Sequence, residues 1–346
     1  MANIKNLLRQ NYQIAKIEQI VEINDGLYNQ GTYQVITAGN NYLLKFRPGY
    51  IPSANLLSNY QFLDYLNKNN FPVPHIIADK TGHKLVKDNG LIFELQEYIP
   101  HQGDARDYEN RLRIPEIASF LGEYHQLALK YESVIKKPAY LKVGDIKHPI
   151  KFQTRYFNNA FAVGTADYQN LESVSAEEEA EIKAYVKYYL AKLQQINSQV
   201  IEQFQQRKQV VLHNDFRGNN ILFKDKRINA LIDFDLCYTG IYYVDLIEVI
   251  YSLLIWQQSE MKFVGLPQNK AINSQDFYGI LKNYFATGVN FDFDLDICCQ
   301  LLEARLIGQI FMPGIENIIK DHNKLEILQR LEELLEQLKN MKKKLI

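Results

Sequence analysis

The stretch VVLHNDFRGNNILF, residues 210–223, places a polar cluster between two short apolar runs. The flanking runs are brief and rich in β-branched or aromatic residues, which is typical of β-strands, and the Gly and Asn residues between them favour a tight turn. A second apolar run, ALIDFDL, follows and also ends in carboxylates. Because two strand ends here deliver hard oxygen donors, the sequence predicts a metal site at this point.

The polar cluster has the spacing His213-x-Asp215-x-x-x-x-Asn220, and Asp233 ends the next apolar run. Phosphoryl transfer from ATP uses such a set, because one carboxylate meets the acceptor hydroxyl while an amide oxygen and another carboxylate hold Mg²⁺. Asp215 is therefore predicted to be the base, with Asn220 and Asp233 as metal ligands. His213 is expected to support the loop, since its neighbours place it at a strand end.

Arg217 lies two residues beyond Asp215. Its guanidinium would match the transferring phosphate, so it is a candidate catalytic residue, although a surface position or an ion pair with Asp235 is an alternative. The spacing itself occurs by chance in many chains, and Asp–Asn clusters are often plain turns. A simple turn has no need of the second carboxylate, however, and Asp233 therefore favours the functional interpretation.

Composition sets limits on partners and location. The chain has 346 residues, enough for two lobes with sizeable cores, and its formal net charge is −1. That balance gives no electrostatic reason to expect binding to nucleic acid or an anionic membrane. The start of the chain does not resemble a signal peptide, no window suits a transmembrane helix, and three cysteines fit a reducing compartment. We expect a cytoplasmic monomer or homodimer.

Hydrophobic periodicity divides the chain into two parts. Residues 1–98 predict a small, mostly antiparallel sheet with one inserted helix, SANLLSNYQFLDYLNKNN. Residues 99–346 are mainly helical apart from the strands around the motif. The predicted class is therefore α+β, with an N-terminal nucleotide-binding lobe (1–98) and a C-terminal catalytic and substrate-binding lobe (99–346). A cleft between two such lobes is a favoured ligand site.

The N-terminal part supplies a lysine for a nucleotide. Lys45 lies in the predicted strand YLLKFR, after a loop that contains Gly26 and Gly31. A lysine on an edge strand is usually solvated, and the loop alone would pass as a hairpin turn. The order of parts favours a nucleotide site: a loop whose N–H groups can bind phosphates, a strand lysine, a helix, a hinge, and then the acid–Asn–acid set.

These segments together resemble the aminoglycoside phosphotransferase and choline kinase-like family, whose members have a protein-kinase-like fold. LHNDFRGNNILF is similar to the family's catalytic loop, ALIDFD to its metal-binding strand, and YYVDLIEVIY to the segment that follows. The phosphate loop, lysine strand, αC helix and hinge are matched by GLYNQGTYQV, NYLLKF, FLDYLNKNNFPVPHII and FELQEYIP. The resemblance runs over roughly residues 20–255 and implies a bilobal protein-kinase-like fold.

The resemblance also implies a nucleotide, ATP or alternatively GTP, bound with Mg²⁺ between the lobes. Its phosphates would meet Lys45 and the loop that contains Gly26 and Asn29. Its purine would meet the hinge backbone at Glu97 and Ile99.

Further roles come from the same resemblance. Asp245 would brace the catalytic loop, and Arg155, Tyr156 and Asn158 would contact a small-molecule hydroxyl acceptor, because the family places substrate helices between hinge and catalytic loop. The family's αC helix carries a Glu that pairs with the strand lysine, whereas the aligned position here is Asn59. Either the alignment slips, or another acid holds Lys45.

Several functions remain open at this stage. The acceptor is predicted to be of aminoglycoside, amino alcohol, amino sugar or homoserine type. A protein serine/threonine kinase is an alternative, but only FDLCYTGIYYV separates Asp233 from Asp245, which is too short for a peptide platform. An inactive nucleotide-binding pseudokinase is a further alternative, but the complete set of Asp215, Asn220 and Asp233 argues against it. The C-terminal LEILQRLEELLEQLKNMKKKL is predicted to be a packing helix rather than a coiled coil.

Overall fold

An antiparallel sheet forms the first part of the chain. The computed structural model of the protein describes residues 2–14, 16–23, 31–47, 53–88, 90–104, 113–136, scattered positions within 177–196, and residues 207–256, 272–310 and 324–345. The strands of this sheet are β1 (Ile17–Glu22), β2 (Gly31–Thr37), β3 (Asn41–Arg47), β4 (Ile76–Ile77), β5 (Val86–Asp88) and β6 (Leu91–Glu97), accompanied by helices α1 (Ala2–Asn11) and α2 (Ser53–Lys68). Their order in the sheet is β1–β2–β3–β6–β4, with β5 also paired to β6.

The strand that carries Lys45 lies inside this sheet. β3 pairs with β2 on one side and with β6 on the other, and Lys45 is opposite Glu94 of β6. Because side chains alternate along a strand, Leu44 packs into the apolar cluster shared with α1, while Lys45 and Arg47 project from the opposite face. Lys45 is therefore not a solvated lysine of an edge strand.

Helices and short strands form the rest of the described chain. The helices are α3 (Ile114–Lys130), α4 (Tyr243–Tyr251), α5 (Ser274–Ala286), α6 (Leu295–Ile310) and α7 (Lys324–Leu345). The strands β7 (Gly103–Asp104), β9 (Ile221–Lys224) and β10 (Arg227–Leu231) form one small sheet, and β8 (Gln209–Leu212) pairs with β11 (Tyr238–Ile241). This mixture of an antiparallel sheet and helices confirms the predicted α+β class.

A glycine allows α3 and α5 to pack closely. A Cβ atom at Gly122 of α3 would lie 2.7 Å from the carbonyl oxygen of Tyr284 and 2.5 Å from Oγ1 of Thr287. A larger residue would push the two helices apart, so the contact depends on glycine. His125 of α3, whose Nδ1 lies 2.7 Å from the hydroxyl of Tyr284 of α5, is positioned by this packing.

The last helix packs on the core. Leu331, Leu334 and Leu338 of α7 are buried, and α7 contacts α6. This agrees with the prediction of a packing helix at the C-terminal end of the sequence. Among the residues that the structure describes, no helix is long and apolar enough to cross a lipid bilayer.

Candidate active site

The backbone of the loop after β8 is hydrogen-bonded to a buried carboxylate. Asp245 of α4 accepts hydrogen bonds from the backbone N–H of His213 (2.8 Å) and of Asn214 (2.7 Å). Asn214 has a φ of 63°, in the left-handed region that asparagine tolerates better than most residues. His125 places Nε2 at 3.3 Å from the same carboxylate. Asp245 is thus located where it can fix the loop conformation.

His213 faces inward. Its Nε2 lies 2.9 Å from the carbonyl oxygen of Ile232, and its ring packs edge-on against Phe216 and Phe234. The side chain is fully buried. It therefore connects the loop to the strand end before Asp233 and does not project into the cleft.

Both carboxylate oxygens of Asp215 are engaged. Oδ2 accepts from Nδ2 of Asn220 (2.7 Å), and Oδ1 accepts from the guanidinium of Arg217. Arg217 thus pairs with Asp215, while Asp235, the alternative partner considered from sequence, pairs elsewhere. Burial raises the pKa of the Asp215 carboxyl, although Arg217 and His213 act in the opposite direction.

Asn220 and Asp233 are brought together by strand register. Ile221 of β9 is opposite Leu231 of β10, and the N–H of Ile232 donates to the carbonyl of Asn220 at 2.9 Å. Since Nδ2 of Asn220 is used by Asp215, its Oδ1 is the side-chain atom available to a ligand. The Asp233 side chain is 42% exposed. An amide oxygen and an accessible carboxylate suit Mg²⁺, so these residues fit the predicted metal.

The side chain of Lys45 contacts Asp233. Its Nζ lies 3.2 Å from Oδ1 of Asp233, and the side chain is only 9% exposed. Burial opposes the charged form, but Asp233 and Asp235 outweigh it and raise the pKa of the ammonium. Of the two possibilities left by the sequence, the acid beside Lys45 is therefore Asp233. Asn59 has another contact: its Nδ2 donates to the carbonyl of Phe234 at 2.8 Å.

A buried charge cluster next to Lys45 was not predicted from the sequence. Arg47 donates two hydrogen bonds to Glu94 (2.9 and 2.7 Å) and two to Asp235 (2.5 and 2.8 Å). Tyr60 and Gln96 also bond to Glu94. Burial disfavours ionised Asp235, but Arg47 and Lys45 hold the pKa of its carboxyl well below the usual range.

Two signals in the sequence point to single members of this cluster, although neither predicts that they meet. Arg47 follows Lys45 by two positions, so both side chains lie on one face of the strand. Glu94 interrupts the otherwise apolar start of LIFELQE, where an unpaired charge would be costly to bury.

The hinge lies at the end of β6. The N–H of Glu97 donates to the carbonyl of His75 at 2.8 Å, so the backbone group that Glu97 can offer a ligand is its carbonyl. The carbonyl of Ile99 lies 3.1 Å from Nδ1 of His101. The other predicted nucleotide and acceptor contacts lie outside the described residues: Gly26, Asn29, Arg155, Tyr156 and Asn158.

A family model now identifies the chain. The model of the APH phosphotransferase enzyme family matches residues 19–262, which include the sheet, the hinge, the catalytic loop and α4. The chain belongs to this family. The resemblance found in the sequence is thereby confirmed, and the protein is an enzyme of the small-molecule kinase class that phosphorylates a hydroxyl group.

Solved structures of APH-like kinases share the fold. A spectinomycin phosphotransferase, solved with ADP and spectinomycin, has a TM-score of 0.59 at 15% identity, with 98% of each chain covered. The amicoumacin kinase, solved with AMP-PNP and Ca²⁺, has a TM-score of 0.59 at 13% identity over 99% of this chain and 93% of that one. A microcompartment-associated aminopropanol kinase has a TM-score of 0.58 at 15% identity over 100% and 98%.

Proposed function

We propose that the protein transfers the γ-phosphoryl group of ATP to a hydroxyl of a small amine-bearing molecule, such as an aminoglycoside, amino alcohol, amino sugar or homoserine. The observation that carries this proposal is the convergence of Asp215, Asn220, Asp233 and Lys45. The first two are joined by a hydrogen bond of 2.7 Å, and the last two by an ion pair of 3.2 Å. The strand register makes Asn220 and Asp233 neighbours.

Each group has a role that follows from its chemistry. Asp215 accepts the proton of the attacking hydroxyl, and its raised pKa makes it a stronger base than an ordinary aspartate. Asn220 and Asp233 would hold Mg²⁺, which would neutralise charge on the phosphates. Lys45 contacts the phosphates. Arg217 exchanges its contact with Asp215 for a contact with the phosphoryl group during transfer. His213 and Asp245 support the loop through their buried hydrogen bonds.

The nucleotide lies in the cleft between the sheet and the catalytic loop. Its purine meets the carbonyl of Glu97 and the N–H of Ile99, and its phosphates meet the backbone near Gly26 and Asn29. Arg155, Tyr156 and Asn158 contact the acceptor. ATP is proposed rather than GTP because nucleotides of the adenine series occupy the related structures named above.

The segment after Asp233 opposes a peptide substrate. Residues 234–236 form a short 3₁₀ turn, residues 238–241 pair with β8 as strand β11, and α4 begins at Tyr243. The chain between Asp233 and Asp245 is therefore used in structure that supports the catalytic loop. A protein kinase needs additional chain here to hold an extended peptide, so a small acceptor is the better fit.

An ADP-release assay tests this proposal. Purified protein with Mg²⁺ and ATP is offered pools of aminoglycosides, choline and ethanolamine, amino sugars, homoserine and methylthioribose. We expect one pool to raise ADP release. Asp215→Asn, which keeps the side-chain shape but cannot act as the base, should lower that rate by a factor of roughly 10² to 10⁴.

A matched control is Asp225→Asn. This exposed residue lies in the β9–β10 turn with a φ of 48°, which asparagine tolerates, and the variant should keep wild-type activity. Equal rates for Asp215→Asn and wild type would exclude Asp215 as the base. Nucleotide binding without turnover in every pool would instead point to an acceptor outside these pools or to a protein substrate.

A further inference from the structure

We infer that Arg47 is a positioning residue, which holds the metal-binding turn through Asp235 so that Asp233 keeps a ligating conformation. The metal-binding turn is defined here as residues 233–236. Since Asp233 is a metal ligand only under the proposed function, this role of Arg47 rests on that function. Neither Arg47 nor Asp235 touches the nucleotide in this scheme.

The register of β3 against the turn supports this role. Lys45 pairs with Asp233, and Arg47, two residues later, pairs with Asp235, two residues after Asp233. The two pairs therefore run in parallel between one face of the strand and one side of the turn. Arg47 fixes the position of the turn, and Lys45 stays beside the carboxylate that faces the cleft.

The guanidinium is itself immobilised. Glu94 accepts two of its hydrogen bonds, and Tyr60 and Gln96 in turn bond to Glu94. The side chains of Arg47 and Glu94 are each only 1% exposed. A bidentate pair restricts both distance and angle, so Arg47 presents its remaining N–H groups to Asp235 in one orientation.

The conformation of the turn makes such a restraint useful. Asp233 has φ 68° and ψ 64°, a left-handed conformation that aspartate adopts more readily than most residues but that still costs it energy relative to glycine. Its own side chain is 42% exposed, whereas the side chain of Asp235 is 12% exposed and the Phe234 carbonyl is bonded to Asn59. The turn is thus held at residues 234 and 235, which leaves the Asp233 carboxylate available.

Direct metal binding by Asp235 is the competing interpretation. Both oxygens of Asp235 accept from Arg47, at 2.5 and 2.8 Å. The Asp235 side chain is also only 12% exposed, against 42% for Asp233. The geometry therefore favours Asp235 as a partner of Arg47.

Calorimetric titration with a non-hydrolysable ATP analogue, with and without Mg²⁺, tests this role without an acceptor. The quantity compared is the gain in nucleotide affinity that Mg²⁺ produces. Asp235→Asn, Arg47→Lys and Arg47→Met should each reduce that gain, by roughly 10- to 100-fold for a residue that orients a metal ligand. Affinity without Mg²⁺ should stay close to wild type.

The double variant Arg47→Met/Asp235→Asn should be no worse than Arg47→Met, because both changes remove the same contact. Val35→Ala is the control for lost stability: it opens the buried core on the other face of the sheet and should leave the Mg²⁺ gain unchanged. If Arg47→Met does not fold, Arg47→Lys and Asp235→Asn decide alone, since Asn keeps the shape of Asp and Lys keeps the charge of Arg.

Three outcomes would overturn the inference, and they are distinguishable. If Mg²⁺ no longer raises nucleotide affinity in Asp235→Asn but still does so in the Arg47 variants, Asp235 is a metal ligand. A gain intact in all variants would reduce the cluster to a structural ion pair. A wild-type protein that binds no nucleotide, with or without Mg²⁺, would refute the proposed function itself.

Discussion

At the scale of single residues, the hydrogen-bond partners of Asp215 bear on the role of Arg217. The proposed base is bonded to Arg217 and to Asn220. Arg217 is 35% exposed at its side chain, so it can exchange its partner for a phosphate at little cost in desolvation. Under the proposed function, this arginine would pair with the base and then with the phosphoryl group.

Replacement of Arg217 separates the phosphate-contact role from a surface role. Arg217→Met should lower kcat roughly 100-fold, the size of effect seen when one preorganised donor to a transition state is removed. KM for ATP should change little, because the interaction forms mainly in the transition state. Arg227→Met, at an exposed position of β10, is the control. A kcat equal to that of the control would assign Arg217 to the surface.

At the scale of elements, α2 contacts the metal-binding turn through Asn59. This asparagine is buried, and its Nδ2 donates to the Phe234 carbonyl at 2.8 Å. Asn59→Ala removes this donor, while the Phe234 carbonyl keeps its longer contact with the N–H of Cys237 at 3.3 Å. We therefore expect the loss of one buried hydrogen bond, about 0.5–1.5 kcal/mol in the free energy of unfolding.

Urea denaturation measures this loss. Gln61→Ala, at an exposed position of the same helix, should change the free energy of unfolding by no more than about 0.5 kcal/mol. Equal stability of the two variants would mean that the hydrogen bond to Phe234 does not hold α2 on the turn.

The sequence predicted local elements, but it did not predict contacts between distant elements. Short-range spacing predicted the strands on either side of the catalytic loop, and Asp215 and Asn220 are five positions apart in one motif. The cluster of Arg47, Glu94 and Asp235 was missed because its members are far apart in sequence. Their meeting depends on the register of β3 against β6 and on the placement of the turn. Local pattern carries no information on either.

At the scale of the whole molecule, the C-terminal helix belongs to the core. Leu334 of α7 is fully buried, and α7 contacts α6, whose residue Arg305 pairs with Glu248 of α4. Helix α4 also carries Asp245. The last helix is therefore connected through packed elements to the support of the catalytic loop.

Truncation of that leucine tests the packing. Leu334→Ala should cost about 2–5 kcal/mol in the free energy of unfolding, because a buried leucine leaves a cavity. Glu333→Ala, at the neighbouring exposed position, should have a small effect. The comparison uses equilibrium urea unfolding at several protein concentrations. A leucine effect that appears only at high concentration would instead assign the helix to an interface between copies of the chain.

The buried cluster at Arg47 also constrains how this sequence can diverge. Loss of Arg47 alone would take the guanidinium partner from two buried carboxylates, Glu94 and Asp235, and loss of either acid would leave Arg47 with one carboxylate partner instead of two. A sequence in which only one of these three residues has changed should therefore be less stable than its ancestor. Among descendants of a common ancestor, positions 47, 94 and 235 should change together or not at all, and a lineage with an apolar residue at 47 should carry neutral residues at the other two.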